Sequence, residues 1–371
     1  MTAETSPTAD PGLAPYDAVL LLGFGGPEGP DEVMPFLRRV TAGRGIPDDR
    51  LAAVGEHYYL FGGRSPINDQ NRALIAAVRS ELDARGIETP VLWGNRNSEP
   101  FLEDTLRAAH AAGYRRLVVL ATSAYSSYSS CRQYRENLAD ATAALADEGI
   151  ELHLDKVPPY APRPGFAEAN LGELVRALRA LDGAPDAEIG LLFVTHSIPD
   201  AMDDTSGPGD GEGNLYRRQH LALASRLTTE ANRVLGRDLT GELVFCSRSG
   251  PPTQPWLEPD VNDRIRELAE SGVRTVVAAP IGFVSDHMEV VYDLDTEARQ
   301  TADELGIALA RVPTVGTGDV FVRDLADALL ERAAEARGEP VPQFEGRMPS
   351  VCAVGCCPNL RQARPALCGS D

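Results

Sequence analysis

Two short segments, far apart in the chain, carry side chains suited to moving protons and holding a divalent metal. In the first, VTHSIP, His196 closes an apolar run. A neutral imidazole has a lone pair near neutral pH, so this histidine can serve as base or metal ligand, or be held by hydrogen bonds alone. The second, IGFVSDHMEVVYDLDTE, runs from Ile281 to Glu297 and holds Asp286, His287, Glu289, Asp293 and Glu297. On a helix, Glu289, Asp293 and Glu297 stand four apart and form one row of carboxylates. Like charges at that spacing cost roughly a few tenths of a kcal/mol per pair. An acidic solvent face is one reading of the row. Met288, Val290 and Val291 make the segment rather apolar for such a face, and a half-buried row would have raised pKa values or hold a hydrated cation. With His196, the row describes a site for a metal and for protons.

The cysteines are the next group with chemistry. Six are present, and Cys352, Cys356, Cys357 and Cys368 fall in the final twenty residues, with Cys131 and Cys246 upstream. The chain shows no export signal, so this clustering favours a metal or cluster site over disulfides. Free thiols on a loose tail are the alternative. The spacing lacks the paired C-x₂-C units of a zinc ribbon. Cys246, at a strand end, reads as a small buried residue. The glycine run GFGGPEG, Gly23 to Gly29, fails as a dinucleotide fingerprint because its sixth place is Glu28, and no P-loop occurs. It is either a turn open to a flat ligand or a plain strand-to-loop turn.

Placing these residues requires strands that end beside them. Eight short apolar runs qualify: 18–22, 90–93, 116–121, 151–157, 189–194, 242–245, 274–279 and 307–312. Amphipathic helices fill the gaps, among them 102–112, 171–181, 261–270 and 319–337. Such alternation predicts an α/β fold of two Rossmann-like domains, each a four-stranded parallel sheet flanked by helices; the resemblance described below adds an active-site cleft between them. The expected divisions are a loose tail over 1–15, a first domain over 16–183 and a second over 184–316. A helix over 317–338 returns to the first domain, and a Cys-rich extension covers 339–371. Ligands of open α/β sheets sit beyond the carboxyl ends of the strands. That rule selects Gly23 to Gly29, the Ser/Tyr-rich segment from Thr122, Thr195 to Pro199, and Ile281 to Glu289.

The whole chain, 371 residues with a formal charge of −20, is large enough for two cores and repels nucleic-acid phosphates. No apolar run of about 18 residues exists to span a bilayer, and a cytoplasmic monomer is expected. Basic residues are nearly all Arg, with Lys156 the only lysine. The guanidinium fork suits carboxylate recognition.

Six phrases together resemble the ferrochelatase family: LLLGFGGPEGPDEVMPFL, HYYLFGGRSPIN, GNRNSEPFLEDTL, THSIP, SRSGPPTQPWLEPDV and IGFVSDHMEVVYDLD. They occur in order from Leu20 to Asp295, most of the chain. The resemblance implies two Rossmann-like domains with a porphyrin between them and Fe²⁺ as substrate. His196 matches the family's catalytic histidine, and Glu289 the glutamate facing it across the porphyrin. Asp293 and Glu297 match the acidic row leading away. Phe24, Ser65, Tyr134 and Trp256 resemble porphyrin-contacting positions, Trp256 equally a packing residue. Arg39, Arg44 and Arg64 loosely match propionate-binding arginines. Where relatives often place an axial tyrosine after the first strand, this chain has Phe24, which has no oxygen to bind iron.

The resemblance also implies a [2Fe–2S] cluster on Cys131, Cys352, Cys356 and Cys357, with Cys368 as an alternate, in a structural or regulatory role. It favours the branch of high-GC Gram-positive bacteria that uses coproporphyrin III in haem biosynthesis. Protoporphyrin IX, a cobalt chelatase and a non-catalytic porphyrin carrier are the other readings. A transient contact with the next haem-pathway enzyme is expected as well.

Overall fold

Parallel sheets covered on both faces need strands that are apolar throughout, and the strands of this chain have that character. A computed structural model describes residues 12–250 and 253–370. The first sheet comprises β1 (Ala18–Gly23), β2 (Val91–Asn95), β3 (Arg116–Ala121) and β4 (His153–Lys156). The second comprises β5 (Ile189–His196), β6 (Gly241–Cys246), β7 (Thr275–Ala279) and β8 (Ala308–Arg311). Their orders, β2-β1-β3-β4 and β6-β5-β7-β8, are the same arrangement used twice, parallel throughout. The central β1 (AVLLLG) is wholly buried, and β5 (IGLLFVTH) is buried up to Thr195.

Helices α1 (Pro30–Val40), α2 (Asp48–Tyr59) and α3 (Ile67–Ala84) follow β1. Next come α4 (Leu102–Ala111), α5 (Gln133–Asp147) and α6 (Pro164–Arg179). In the second half lie α7 (Asp200–Asp204), α8 (Leu215–Leu235), α9 (Val261–Glu270), α10 (Met288–Tyr292), α11 (Arg299–Leu305) and α12 (Asp319–Ala336). Helix α6 starts seven residues before the predicted 171 because Pro164 sits at its first turn, where a missing N–H costs nothing. Helix α12 packs on α6 and α3, so the chain's last long helix returns to the first half.

The loose tail expected over 1–15 is corrected at its end. Leu13 is buried beside Ile87, and its carbonyl accepts from the Tyr16 amide at 2.9 Å; the rest of that segment, 1–11, lies outside the described residues. The largest apolar core is shared by both sheets. Val19, Leu21, Val118 and Leu120 of the first sheet and Leu191, Phe193 and Val277 of the second belong to it, with α3, α6, α8 and α12 between them. Smaller cores cover the outer faces, under α4 and α5 on one side and α9 and α11 on the other. Among the described residues no helix is long and apolar enough to cross a membrane.

Candidate active site

His196 is the last residue of β5, held in register against Cys246 of β6. A buried polar chain supports it from below. The Tyr216 hydroxyl donates to the His196 carbonyl at 2.9 Å. His220 Nδ1–H donates to the Tyr216 carbonyl at 2.7 Å, and its Nε2 faces the Thr195 hydroxyl at 2.9 Å. Burial pushes the His220 pKa down to about 3, so this imidazole is neutral and structural. Gly282 closes the same corner, since a Cβ there would lie 2.1 Å from Thr195 Oγ1. Gly282→Ala is therefore expected to displace Thr195 and cost about 1–3 kcal/mol of stability, checked by denaturant unfolding. An unchanged midpoint would show that this corner has slack.

His196 and Glu289 meet directly: Nε2 and Oε2 are 3.4 Å apart, with side chains 32% and 51% exposed. The imidazole Nδ1–H donates to the Ser197 carbonyl, which leaves Nε2 to face the carboxylate. Burial opposes charge on His196, but Glu289, the Ser197 carbonyl and Asp293 outweigh it and raise its pKa to about 9. Burial likewise opposes charge on Glu289, yet His196 and His287 bring it down to about 2. The pair rests as imidazolium and carboxylate. As placed, the two side chains touch with no ring between them. A ring stacked between them needs a van der Waals contact of about 3.5–4.0 Å on each side. As placed, they form one ion pair that addresses a single side.

The acidic row begins at this pair. Residues Asp293–Ala298 form a π-helix rather than the expected α-helical turn, and its wider coil brings positions four apart closer to alignment. Burial together with Glu289 and Glu297 raises the Asp293 pKa to about 7, against the pull of the Ser247 hydroxyl, which donates to it. Glu297 is exposed and accepts from Tyr292, whose ring stacks on His57 of α2 at 3.7 Å. The row therefore runs from a half-buried ion pair to water. Asp286 is turned away, paired with Arg311 at 2.7 Å.

The residues expected around the porphyrin divide. Phe24 packs with Phe36 of α1, in the apolar group that also contains Tyr58 and Met288, the residue before Glu289. It borders the site. Ser65 is buried, and its amide donates to the Pro27 carbonyl at 2.9 Å, so it braces the glycine turn. Tyr134 is also buried, its ring beneath the Arg96 guanidinium at 4.4 Å, in the outer core of the first sheet. Trp256 pairs by backbone with Pro199, just past the THSIP segment. The glycine turn is filled by the protein itself. Gly25 has φ +82°, and a Cβ there would lie 2.5 Å from Ser98 Oγ, while Asn68 donates to the Gly26 carbonyl at 3.0 Å.

Of the three candidate arginines, Arg64 pairs with Asp69 at 2.5 Å, and Arg39 donates to the Asn97 carbonyl and covers Phe101. Arg44 has no carboxylate partner among the described residues. Sequence reasoning passed over His287 as a partner of Glu289, at 3.9 Å, and Ser247 as the donor to Asp293. Ser247 did carry a signal, since it stands in the SRSGPP phrase directly after β6.

The cysteine tail meets Cys131 in the interior. Cys352, Cys356 and Cys357 are buried together, and hydrogen bonds link the thiols in the order Cys131, Cys352, Cys356, Cys357. The hydrogen bond from Cys352 and burial push the Cys131 thiol up, while nearby Lys156 and Arg135 pull it down. Cys368 points elsewhere, to the Leu154 carbonyl at 3.4 Å. Among the described residues no three such side chains are arranged to hold a single metal ion. A chain of adjacent thiol pairs beside buried cations suits a binuclear cluster, in which each iron takes two thiolates, better than a mononuclear site.

The family model described as Ferrochelatase matches residues 16–333. A protein of Streptomyces coelicolor named coproporphyrin III ferrochelatase is 53% identical, covering 96% of this chain and 97% of that one. One of the same name from Leifsonia xyli is 50% identical, with 95% and 94% covered. In fold, the chain is similar to SirB from Bacillus subtilis with Fe³⁺, at TM-score 0.51 and 11% identity, covering 86% of this chain and 97% of that one. With that family model matching most of the chain and relatives at about half identity covered nearly end to end, the chain belongs to the ferrochelatase family.

Proposed function

We propose that this protein inserts Fe²⁺ into coproporphyrin III to give iron coproporphyrin III for haem biosynthesis. The observation that carries the reading is the His196–Glu289 pair with Asp293 behind it. Metal insertion must strip water from Fe²⁺ and remove two protons from the pyrrole nitrogens. A carboxylate held ionised and an imidazole beside it supply oxygen and nitrogen ligands for the incoming ion. Asp293, with a pKa of about 7, is poised to accept and release protons at neutral pH. Glu297 at the exposed end passes them to water. His196 must itself lose a proton before it can accept one or ligate iron, and Glu289 sets the pH at which it does so.

The choice of coproporphyrin follows the names of relatives that match nearly end to end. The test is insertion of Fe²⁺ into coproporphyrin III and protoporphyrin IX by the purified chain, read from the iron-porphyrin spectrum. Faster turnover of coproporphyrin is expected. A preference for protoporphyrin would overturn the substrate and keep the reaction; no insertion into either would overturn both.

Cys131, Cys352, Cys356 and Cys357 are the residues we assign to a [2Fe–2S] cluster. Bound there, the cluster would supply cross-linking by metal–thiolate bonds, since metal insertion transfers no electrons between substrates. Lys156 is buried with a hydrogen bond to the Val157 carbonyl at 2.8 Å, and it lies with Arg135 beside Cys131. These cations offset the negative charge of four thiolates.

A further inference from the structure

Among the described residues the backbone takes a positive φ at four positions that are not glycine: Asn214, Ser247, Cys357 and Cys368. Of these, Ser247 is the one whose side chain reaches the acidic row. It follows β6 directly, with φ +61°. Its neighbour Cys246 pairs in register with His196, and the Cys246 carbonyl accepts from the Ser197 amide at 2.8 Å. The left-handed turn therefore sits on the same strand edge that presents the imidazole.

In that conformation an L side chain crowds its own backbone, and glycine would make the turn without cost. What serine adds is a hydroxyl. That hydroxyl donates to Asp293 Oδ2. The Cys246 sulfur is a second neighbour at 3.5 Å, but a thiol is a weak acceptor. A hydroxyl has one hydrogen to give, and a carboxylate oxygen binds it more strongly.

Asp293 opens the π-helix that continues α10, four residues beyond Glu289. Burial and the charges of Glu289 and Glu297 all disfavour its ionised form, and the Ser247 hydroxyl acts against them. With Oδ2 held by this bond, Oδ1 is left for what moves along the row. Strain stored at a site where an unstrained residue would fit points to a use for the side chain. We infer that Ser247 is a positioning residue for iron insertion: its hydroxyl, delivered by the left-handed turn after β6, orients the Asp293 carboxylate behind the His196–Glu289 pair. In this role it touches neither iron nor porphyrin and acts through Asp293. The inference rests on the function proposed above.

Ser247→Ala and Ser247→Gly in the full chain separate the hydroxyl from the turn. Both lack the donor, but only alanine keeps the crowded Cβ. Each is expected to lower kcat for Fe²⁺ insertion about tenfold, as for a lost hydrogen bond to a charged group, with porphyrin affinity by fluorescence titration unchanged. Ser247→Gly should nevertheless unfold at a higher denaturant concentration than Ser247→Ala, because the strain is gone. Activity that rises with stability from the alanine to the glycine variant would mean that the residue only shapes the turn, and overturns the inference. Combination with Asp293→Asn gives a second readout. With that charge removed, Ser247→Ala should deepen the loss by less than about twofold, whereas two losses that multiply in full overturn the inference. Full activity of Ser247→Ala beside an active unsubstituted chain also overturns it and leaves the reaction standing. Absence of insertion by the unsubstituted chain strikes at the proposed reaction itself.

Discussion

Replacing His196 by Ala is expected to lower iron insertion about 10²- to 10⁴-fold while porphyrin binding remains. The imidazole is the group that faces Glu289, and nothing else within the pair supplies a nitrogen ligand. A porphyrin carrier has no need of a proton acceptor, so a variant that kept full function would favour that reading. The pH dependence carries the finer test. With its pKa near 9, His196 is protonated at neutral pH, and Fe²⁺ must displace that proton to reach Nε2. The value of kcat/KM for Fe²⁺ should therefore rise toward pH 9, by up to about tenfold per unit where a single deprotonation controls it. Glu289→Gln removes the charge that raises this pKa, and burial, which acts in the opposite direction, then prevails. The rising limb should move to lower pH even as the maximal rate falls. A limb that stays near pH 9 in Glu289→Gln would mean that the ion pair does not set the protonation of His196.

On the [2Fe–2S] assignment proposed above, Cys131→Ala is expected to abolish visible absorption and bound iron, whereas Cys368→Ala should leave both intact. Cys131 stands at one end of the thiol chain and is the only member outside the extension. Its loss removes one of the ties between the extension and the first half, beside contacts such as Arg135 to the Leu367 carbonyl. Limited proteolysis should accordingly cut beyond residue 338 faster in Cys131→Ala. Retention of two irons per chain in that variant would exclude the ligand set. Iron loss from Cys368→Ala would return that residue to it.

The strands were legible because parallel strands buried on both faces are written as short unbroken apolar runs, and all eight runs became strands. The site was legible where it follows such a run, as His196 follows β5. What the sequence did not disclose depends on contacts between segments distant in the chain. That His196 and Glu289 touch follows from how β5 and the β7-to-α10 segment meet. Ser65 and Tyr134 matched the family's phrases, yet both turn inward, to the glycine turn and to Arg96. The π-helix at Asp293 was read as ordinary helix because acidic spacing constrains which residues align, not how widely the backbone coils. Among the arginines, type alone could not separate Arg64, neutralised by Asp69, from Arg44, which has no such partner among the described residues.

The apolar interior common to both sheets has a consequence for how the molecule is assembled. Phe193 and Val19 belong to one body of packed side chains, so neither repeat owns its inner surface. Severed at residue 183, each fragment would meet water with an oily flank, and aggregation or mutual rescue on mixing should follow in place of two independent folders. The repeated strand order thus describes two parts that stand or fall as one.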